Sequence, residues 1–399
     1  MATPRFIQVH FLTSYPAVLL NRDDAGLAKR ITYGGTTRTR VSSQCLKRHW
    51  RTADDTWAIK HTGADLSVRT RDVFGYAIAP KLRERLPSVP EDVVAAAGLA
   101  LSVALYGKKA EDPKKRQALL LGWREVDFLI ERLVTLLSEP LTAKDAGSAV
   151  EALFKDREEK ANLSAIRDVA GSLAAGVEAA LFGRMVTSDP AANTDASVHV
   201  AHAFTVHEQE SETDYFTVVD DLKQLDADED SGSAGIFDTE LSSGLFYGYV
   251  VVDVPLLVGN VTGVDPLQWD AKSTDRALAA IIIEHLIHLI ATVSPGAKKG
   301  STAPYAWAQT MLVELGTRQP RSLASAFEQP VRARTGESIS RKAEDALYDR
   351  LGAFDRSYGT GEARACLSLS GSERGDVQGP LSIDALASWT ANAIRNASA

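Results

Sequence analysis

Eight histidines, two cysteines and the adjacent carboxylates of Asp23-Asp24, set in a basic loop, are the side chains of this sequence to test first for chemistry. Glu284-His285-Leu-Ile-His288 is the nearest approach to a metal motif. A zincin helix needs its histidines four apart with the glutamate between them. Here the spacing is three and the glutamate lies outside, which points to histidines at the edge of a packed helix. His199 and His202 fall in a segment of strand composition, where positions i and i+3 face opposite sides and chelate poorly. Cys45 has Lys47 and Arg48 close by, a setting that lowers a thiol pKa. No cysteine–histidine signature accompanies it, so a small packing residue is the expected role. Asp23 and Asp24 could hold a divalent ion for phosphodiester cleavage; acids in such a loop also orient arginines or cap a turn. A Gly-x-Ser-x-Gly elbow and a Walker loop are both missing from the sequence. The expectation is a protein with no catalytic residue, no metal site and no cofactor.

The basic side chains say more. Residues 21–51 hold Arg22, Lys29, Arg30, Arg38, Arg40, Lys47, Arg48 and Arg51 against Asp23 and Asp24, a local charge of +6. Residues 298–342 carry +5, with Lys298, Lys299, Arg318, Arg321, Arg332, Arg334, Arg341 and Lys342 against three glutamates. The whole chain is −8, so the remainder carries −19. Such a split allows a cationic track on an acidic body, the footprint of a polyanion partner. Two ordinary solvated faces would give the same count, because nearness in sequence does not prove a shared surface.

These residues need elements to position them. The 399 residues allow one large domain or two to three smaller ones. Two cysteines cannot form a disulfide framework, which suits a reducing compartment. Met1 to Phe6 has no apolar stretch of signal-peptide length. The most apolar run, Ala277 to Ile283, is far short of a bilayer span. A soluble, cytoplasmic protein with no membrane partner is expected. Phe6–Leu12 has strand composition and is broken by Ser14-Tyr-Pro16. Residues 17–40 read as a long loop turning at Gly34-Gly35, and Arg38–Ser42 as a short strand. Ser42 or Ser43 then caps a helix carrying Gln44, Lys47, Arg48 and Arg51. Residues 90–185 read as helical, with apolar spacing at Val93–Leu105, Val126–Leu137 and Ile166–Leu181. Val198–Val206 and Tyr215–Val219 read as a long hairpin across polar Glu208–Asp214, followed by an acidic linker from Asp220 to Gly235. Phe246–Val254 is the strongest strand; Asp275–Val293 is a helix, Thr310–Leu315 a strand and Ser382–Ile394 a last helix.

Asn21-Arg-Asp-Asp24, Lys29, Gly34-Gly35 and Arg38–Arg51 form one unit. It resembles the N-terminus of the CasC-type backbone subunits of the type I-E CRISPR Cascade complex, in the Cas-seven family. Gly183–Ser188, His199–His207, Tyr215–Asp221, Leu241–Tyr247, Pro295–Lys298 and Ser325–Arg332 are similar to that family's pieces, in its order. The resemblance implies an α+β, hand-shaped fold. A palm of the RNA-recognition-motif (ferredoxin-like) type occupies 1–58 and 236–399, with helical fingers at 59–190. A β-hairpin thumb with the acidic linker occupies 191–235. It implies a non-catalytic subunit, copies of which polymerise along a CRISPR guide RNA. Together with other Cascade subunits, they leave the bases open to pair with target DNA in antiviral defence. A RAMP-type endoribonuclease using Asp23/Asp24 or His10 is the competing expectation, and a protein-only scaffold a third.

The residue chemistry fits a guide held without regard to sequence, through phosphate and sugar. Arg22, Lys29, Arg38, Arg40, Lys47, Arg48 and Arg51 supply charge. Ser42, Ser43 and Gln44 supply neutral donors at a helix N-terminus, which attracts phosphate. Lys47 and Arg51, four apart, share a helix face. Arg332 and Arg334 lie on one side of an extended segment, and the resemblance places them at the RNA. Met185 resembles the residue that wedges against bases, a role suited to a flexible, polarizable side chain. Tyr215 and Phe216 are either base-stacking groups or core residues. Cys45 stands where the family usually has serine. The family's fingers carry a lysine-rich helix that meets target DNA. Here Lys155, Arg157 and Lys160 occupy that region among five acids.

Overall fold

The computed structural model describes residues 3–107, 112–155, 163, 166, 171–219 and 233–397. In chain order the elements begin with β1 (Phe6–Val18), β2 (Arg30–Tyr33), β3 (Thr36–Val41) and α1 (Ser43–Arg51). Next come β4 (Ser67–Thr70), α2 (Ala79–Arg85), α3 (Glu91–Tyr106), β5 (Leu119–Gly122), α4 (Trp123–Leu137), α5 (Ala143–Lys155) and α6 (Val177–Phe182). Then follow β6 (Val198–Val200), β7 (Ala203–Thr205), β8 (Glu210–Val219), β9 (Ser233–Asp253), α7 (Val254–Thr262) and α8 (Ala277–Thr292). The last are α9 (Lys299–Thr302), β10 (Thr310–Gly316), α10 (Ile339–Tyr358), β11 (Ala363–Ser368) and α11 (Ile383–Arg395). The class is mixed α+β. The chain divides into two units. No helix among the described residues is long and apolar enough to cross a membrane.

The first unit comprises Met1–Ala58, Val200–Val251 and Ile283–Ala393. Its sheet has the order β11-β10-β1-β9-β7-β3-β2, with β8 also on β9. Phe6–Thr13 of β1 is buried at every position, the signature of a strand covered on both faces. β1 pairs antiparallel with β10 from Phe6↔Gly316 to Leu12↔Thr310, and β10 pairs antiparallel with β11. A Cβ at Gly248 of β9 would fall 2.1 Å from the Phe11 ring, so the glycine is what lets that ring lie against the strand. One core joins Leu12, Tyr247, Leu312, Phe327 and Cys366 to Ala343, Leu347 and Leu351 of α10. Those three recur every four residues, and losing one such leucine costs about 2–5 kcal/mol, so this stripe is what binds α10 to the sheet.

A buried ion cluster sits in the same unit. Glu314 accepts hydrogen bonds from Arg321 (2.8 and 2.9 Å), Arg364 Nε (2.8 Å) and His10 Nε2 (3.1 Å). Burial pushes the Glu314 carboxyl up, but the bonds from His10 and Arg321 prevail and hold it well below the usual carboxylate range. Burial lowers the pKa of His10, whose Nδ1 lies 2.9 Å from the Tyr247 hydroxyl.

The second unit comprises Ile59–His199, Val252–Ile282 and Ile394–Ala399. β4 and β5 form a two-stranded antiparallel sheet. Leu82 of α2, Val94 and Leu101 of α3, Val126, Leu129, Ile130 and Leu133 of α4 and Val150 of α5 share its core.

Several expectations need correction. β1 does not break at Ser14-Tyr-Pro16 but runs to Val18, because Pro16 is exposed and the strand needs no N–H there. Residues 17–40 are not all loop, since β2 and β3 form a hairpin closed by Gly34-Gly35. Gly34 has φ +60°, and a Cβ on it would meet the Glu328 carbonyl oxygen at 1.5 Å, so only glycine fits. The long hairpin is β8 with β9, from Glu210↔Ser243 onward. Polar Glu210–Asp214 is therefore strand, because a strand solvated on both faces needs no apolar side. The acidic segment connects the two strands of the hairpin, and 220–232 lie outside the described residues. Val198–Val206 splits into β6 and β7. No helix runs unbroken from Ile166 to Leu181, since 172–175 form a turn before α6. α10 and β11 are elements that sequence reasoning missed.

Candidate nucleic-acid interface

β3 delivers the chain to α1, where Ser42 is the N-cap. Its Oγ accepts the Cys45 N–H at 3.3 Å, and its own N–H donates to Asn21 Oδ1 at 3.0 Å. Leu46 and Trp50 are buried and fix the helix. The first turn carries no acid, so no side chain of the helix itself offsets the partial positive charge of its amides.

An open cleft of about 960 Å3 lies between the loop at 20–26, the start of α1 and residues 296–299. Of the residues singled out from sequence, Arg22, Ser42, Gln44 and Arg48 line it, and so do Asp23 and Asp24; all but Ser42 are exposed. Lys299, absent from the predicted set, completes the lining from the opposite side. Its sequence signals are the Lys298-Lys299 doublet and its place in the second basic window. Ser43, Lys47 and Arg51 share α1 but are half-buried and outside the lining. Burial lowers the pKa of the Lys47 ammonium.

His49 was not singled out and has a defined task. Its Nδ1–H donates to the Cys45 carbonyl at 2.8 Å, while Nε2 accepts the Gly296 N–H at 3.4 Å. This is the pattern of a neutral ring, in keeping with a pKa lowered mainly by burial. His49 thereby ties the 296–299 segment to α1. The Cys45 thiol is pushed up by burial, despite the opposing charges of Lys29 and Arg48; it does not have the lowered pKa of a nucleophile.

Arg38 requires correction. It is fully buried, and its guanidinium donates to the carbonyls of Thr205 (2.9 Å), His207 (3.4 Å), Phe327 (3.0 Å) and Glu328 (3.3 Å). Its Nε donates to Thr36 Oγ1 at 2.8 Å. It serves the fold and cannot reach a ligand. Arg40 is half-buried, donating through Nε to the Arg30 carbonyl and lying 3.0 Å from His202 Nδ1. Lys29 is half-buried, its N–H on the Asn21 carbonyl.

Arg332 and Arg334 are exposed at the other end of β3. Arg332 meets Glu208 at 3.1 Å, and the neighbouring Gln209 N–H donates to the Thr37 carbonyl. Thr37 and Ser42 are five residues apart on extended chain, about 17 Å. The basic groups therefore follow β3 as a track rather than meeting at one point.

On the β8–β9 hairpin Phe216 faces Phe237 across the ladder, with ring centroids 5.6 Å apart and planes at 23°. Both are exposed, as is Tyr215, so the core alternative for Tyr215 and Phe216 does not hold. Lys298 Nζ lies 5.5 Å from the Phe216 ring. In the second unit Met185 is 65% exposed between two anchored neighbours. Arg184 pairs with Glu125 at 2.6 and 2.7 Å, and the Val186 N–H donates to Asn193 Oδ1 at 2.7 Å. Lys155 ends α5, and Arg157 and Lys160 lie outside the described residues.

Two of the three groups proposed for RNA cleavage, Asp23 and His10, have other partners. Asp23 Oδ1 accepts the N–H groups of Ala25 (3.0 Å) and Leu27 (2.9 Å), closing its own loop. His10 is fully buried on Glu314. His285 contacts the Trp57 carbonyl at 3.0 Å, and His288 stacks on the Trp57 ring at 3.6 Å. Among the described residues no three His, Cys, Asp or Glu side chains are grouped to hold a metal.

No curated protein matches this chain. Among solved structures, a chain of a "CRISPR RNA-guided surveillance complex, pre-nicking" is 26% identical, with a TM-score of 0.72. The match covers 96% of this chain and 100% of that one. A chain of a "CRISPR RNA-guided surveillance complex" is 22% identical with a TM-score of 0.65, covering 96% and 99%, and shares the fold. The CT1975-like protein family matches residues 7–389, nearly the full length. The chain belongs to the CT1975-like protein family.

Proposed function

We propose that this chain is a non-catalytic, guide-RNA-binding backbone subunit of a cytoplasmic type I-E CRISPR surveillance complex. Copies line up along one guide and present its bases to target DNA, in company with other Cascade subunits. In this reading the sheet unit is the RNA-recognition-motif-like palm, the helical unit the fingers and the β8–β9 hairpin the thumb. The observation that carries it is the end-to-end likeness to a chain of an RNA-guided surveillance complex. The cleft supports it physically. The first turn of α1 carries no acid, and Arg22, Arg48 and Lys299 line the cleft together with Asp24 and with Asp23, whose carboxylate is engaged by its own loop; this set suits a phosphate backbone and reads no base. Met185 and Phe216 are exposed on anchored backbone, as base-contacting groups need to be.

The test is co-expression with a CRISPR array, followed by sizing with and without ribonuclease and sequencing of the bound RNA. Large particles that hold repeat-derived RNA and shrink on digestion are expected. Particles whose size ignores ribonuclease would favour a protein-only scaffold and sink the reading. Incubation with labelled guide and magnesium should leave the RNA intact; cleavage lost in an Asp23→Ala/Asp24→Ala variant would overturn the non-catalytic assignment.

A further inference from the structure

Tyr305 and Trp307 are each 72% exposed, an unusual state for two aromatic side chains so close together. The segment around them is firmly held. Ala306 exchanges two hydrogen bonds with the Ser294 hydroxyl, its N–H donating at 2.9 Å and its carbonyl accepting at 2.8 Å. Ser294 is buried and also accepts from the Tyr15 hydroxyl at 3.2 Å. The Ala308 N–H donates to the Ala291 carbonyl. Pro304 and Ala308 are buried while Tyr305 and Trp307 are exposed. Tyr305 and Trp307 are thus exposed together on one short segment, with only Ala306 between them. The backbone therefore holds both rings out in the solvent, where neither has a protein surface to cover.

This pair continues the cleft. Gly296 lines the cleft and packs against Pro304, as a Cβ on it would lie 2.6 Å from Pro304 Cγ. Lys299, on the cleft wall, accepts the Ala303 N–H through its carbonyl. The path from cationic wall to aromatic pair is thus one short stretch, Lys299 to Trp307. Lys298 stands beside it with its ammonium over Phe216. Cations followed at once by exposed rings suit a strand that is anionic along its backbone and flat at its bases.

We propose that Tyr305 and Trp307 form a stacking platform for bases of single-stranded RNA running over the Lys299 edge of the cleft. The proposal rests on the RNA-binding reading and extends it beyond the cleft. Stacking on aromatic rings tolerates any base, so the platform adds affinity without adding sequence preference. It adds no phosphate contact, so it leaves the salt dependence of binding unchanged.

The test uses the purified full chain and a fluorescein-labelled oligouridylate, titrated at several salt concentrations. Trp307→Ala and Tyr305→Ala should each weaken binding by about fivefold or more, with the salt slope unchanged. Trp307→Phe and Tyr305→Phe should retain most of the affinity. Thermal melting of each variant should match the parent, since both side chains project into solvent. Wild-type affinity in the Tyr305→Ala/Trp307→Ala variant, with Arg48→Ala still weakened, would overturn the platform and leave the cleft standing. Loss of self-association by RNA-free protein, with RNA affinity intact, would assign the pair to a contact between copies and likewise overturn it. A wild-type chain that binds no RNA would remove the cleft reading and the platform together.

Discussion

Arg48 offers the sharpest measurement. It is exposed, lines the cleft and lies on the same helix as the Ser42 cap. If it neutralises one phosphate of a single strand, Arg48→Ala should reduce the slope of log affinity against log salt by about 0.7. At about 0.1 M salt that loss corresponds to about fivefold weaker binding, fading toward 1 M. Lys299 faces the same cleft from the other wall, so Arg48→Ala/Lys299→Ala should reduce the slope by about 1.4 and affinity by about 25-fold. Fluorescence anisotropy with labelled single-stranded RNA of two unrelated sequences reads both quantities. The ratio of variant to parent should be the same for the two sequences, because a phosphate contact carries no base information. Arg48→Lys should keep most of the slope, since the charge remains although the guanidinium fork is lost. A double variant whose slope stays within about 0.3 of the parent's would refute the placement of phosphate in this cleft.

Two further outcomes are expected. Arg38→Ala should leave four main-chain acceptors short of a donor and lower stability by on the order of 3 kcal/mol, read by urea unfolding; a loss under about 1 kcal/mol would show that water replaces the guanidinium. His49, its pKa depressed mainly by burial, contributes stability as the neutral ring above its unfolded pKa of about 6.5. That contribution is lost as pH falls through the lower folded value, so the melting-temperature gap between wild type and His49→Gln should narrow on acidification from pH ~7.5 to pH ~5. A gap that is constant across this range would remove His49 from the tie to Gly296.

Local signals in the sequence were readable where one segment carries its own instructions. The helix after Ser42-Ser43 is legible, because an N-cap and its first turn lie within four residues; of the two candidate caps, the structure uses Ser42. Phe246–Val254 reads as the strongest strand by composition alone, and β9 contains it up to Asp253. α10 carries equally local signals. Ser338 caps it, Ala343, Leu347 and Leu351 mark its buried stripe, and Gly359 closes it with φ +60°. Arg38 is different in kind. Its four carbonyl partners come from residues 205–207 and 327–328, so no window around Arg38-Thr-Arg40 distinguishes the buried arginine from the half-buried one. The hairpin was misplaced because Glu210–Val219 has no single apolar face, and strand formation there follows from the partner β9. At the cleft, the sequence marks α1 as basic without separating Arg48, which lines it, from Lys47 and Arg51, which do not; Lys299 enters from a segment some 250 positions away and only the fold brings it there.

β9 runs without a break from the hairpin, where it faces β8, to its place beside β1 in the sheet. The hairpin therefore has no hinge at its root and behaves as a cantilever clamped in the sheet. A force applied at Phe216 and Phe237 is resisted by bending a hydrogen-bonded ribbon, and the strain passes into the strands on which α10 is packed. Displacing the arm thus deforms the sheet itself, and the stiffness with which those two rings hold their position is set by the core of the first unit.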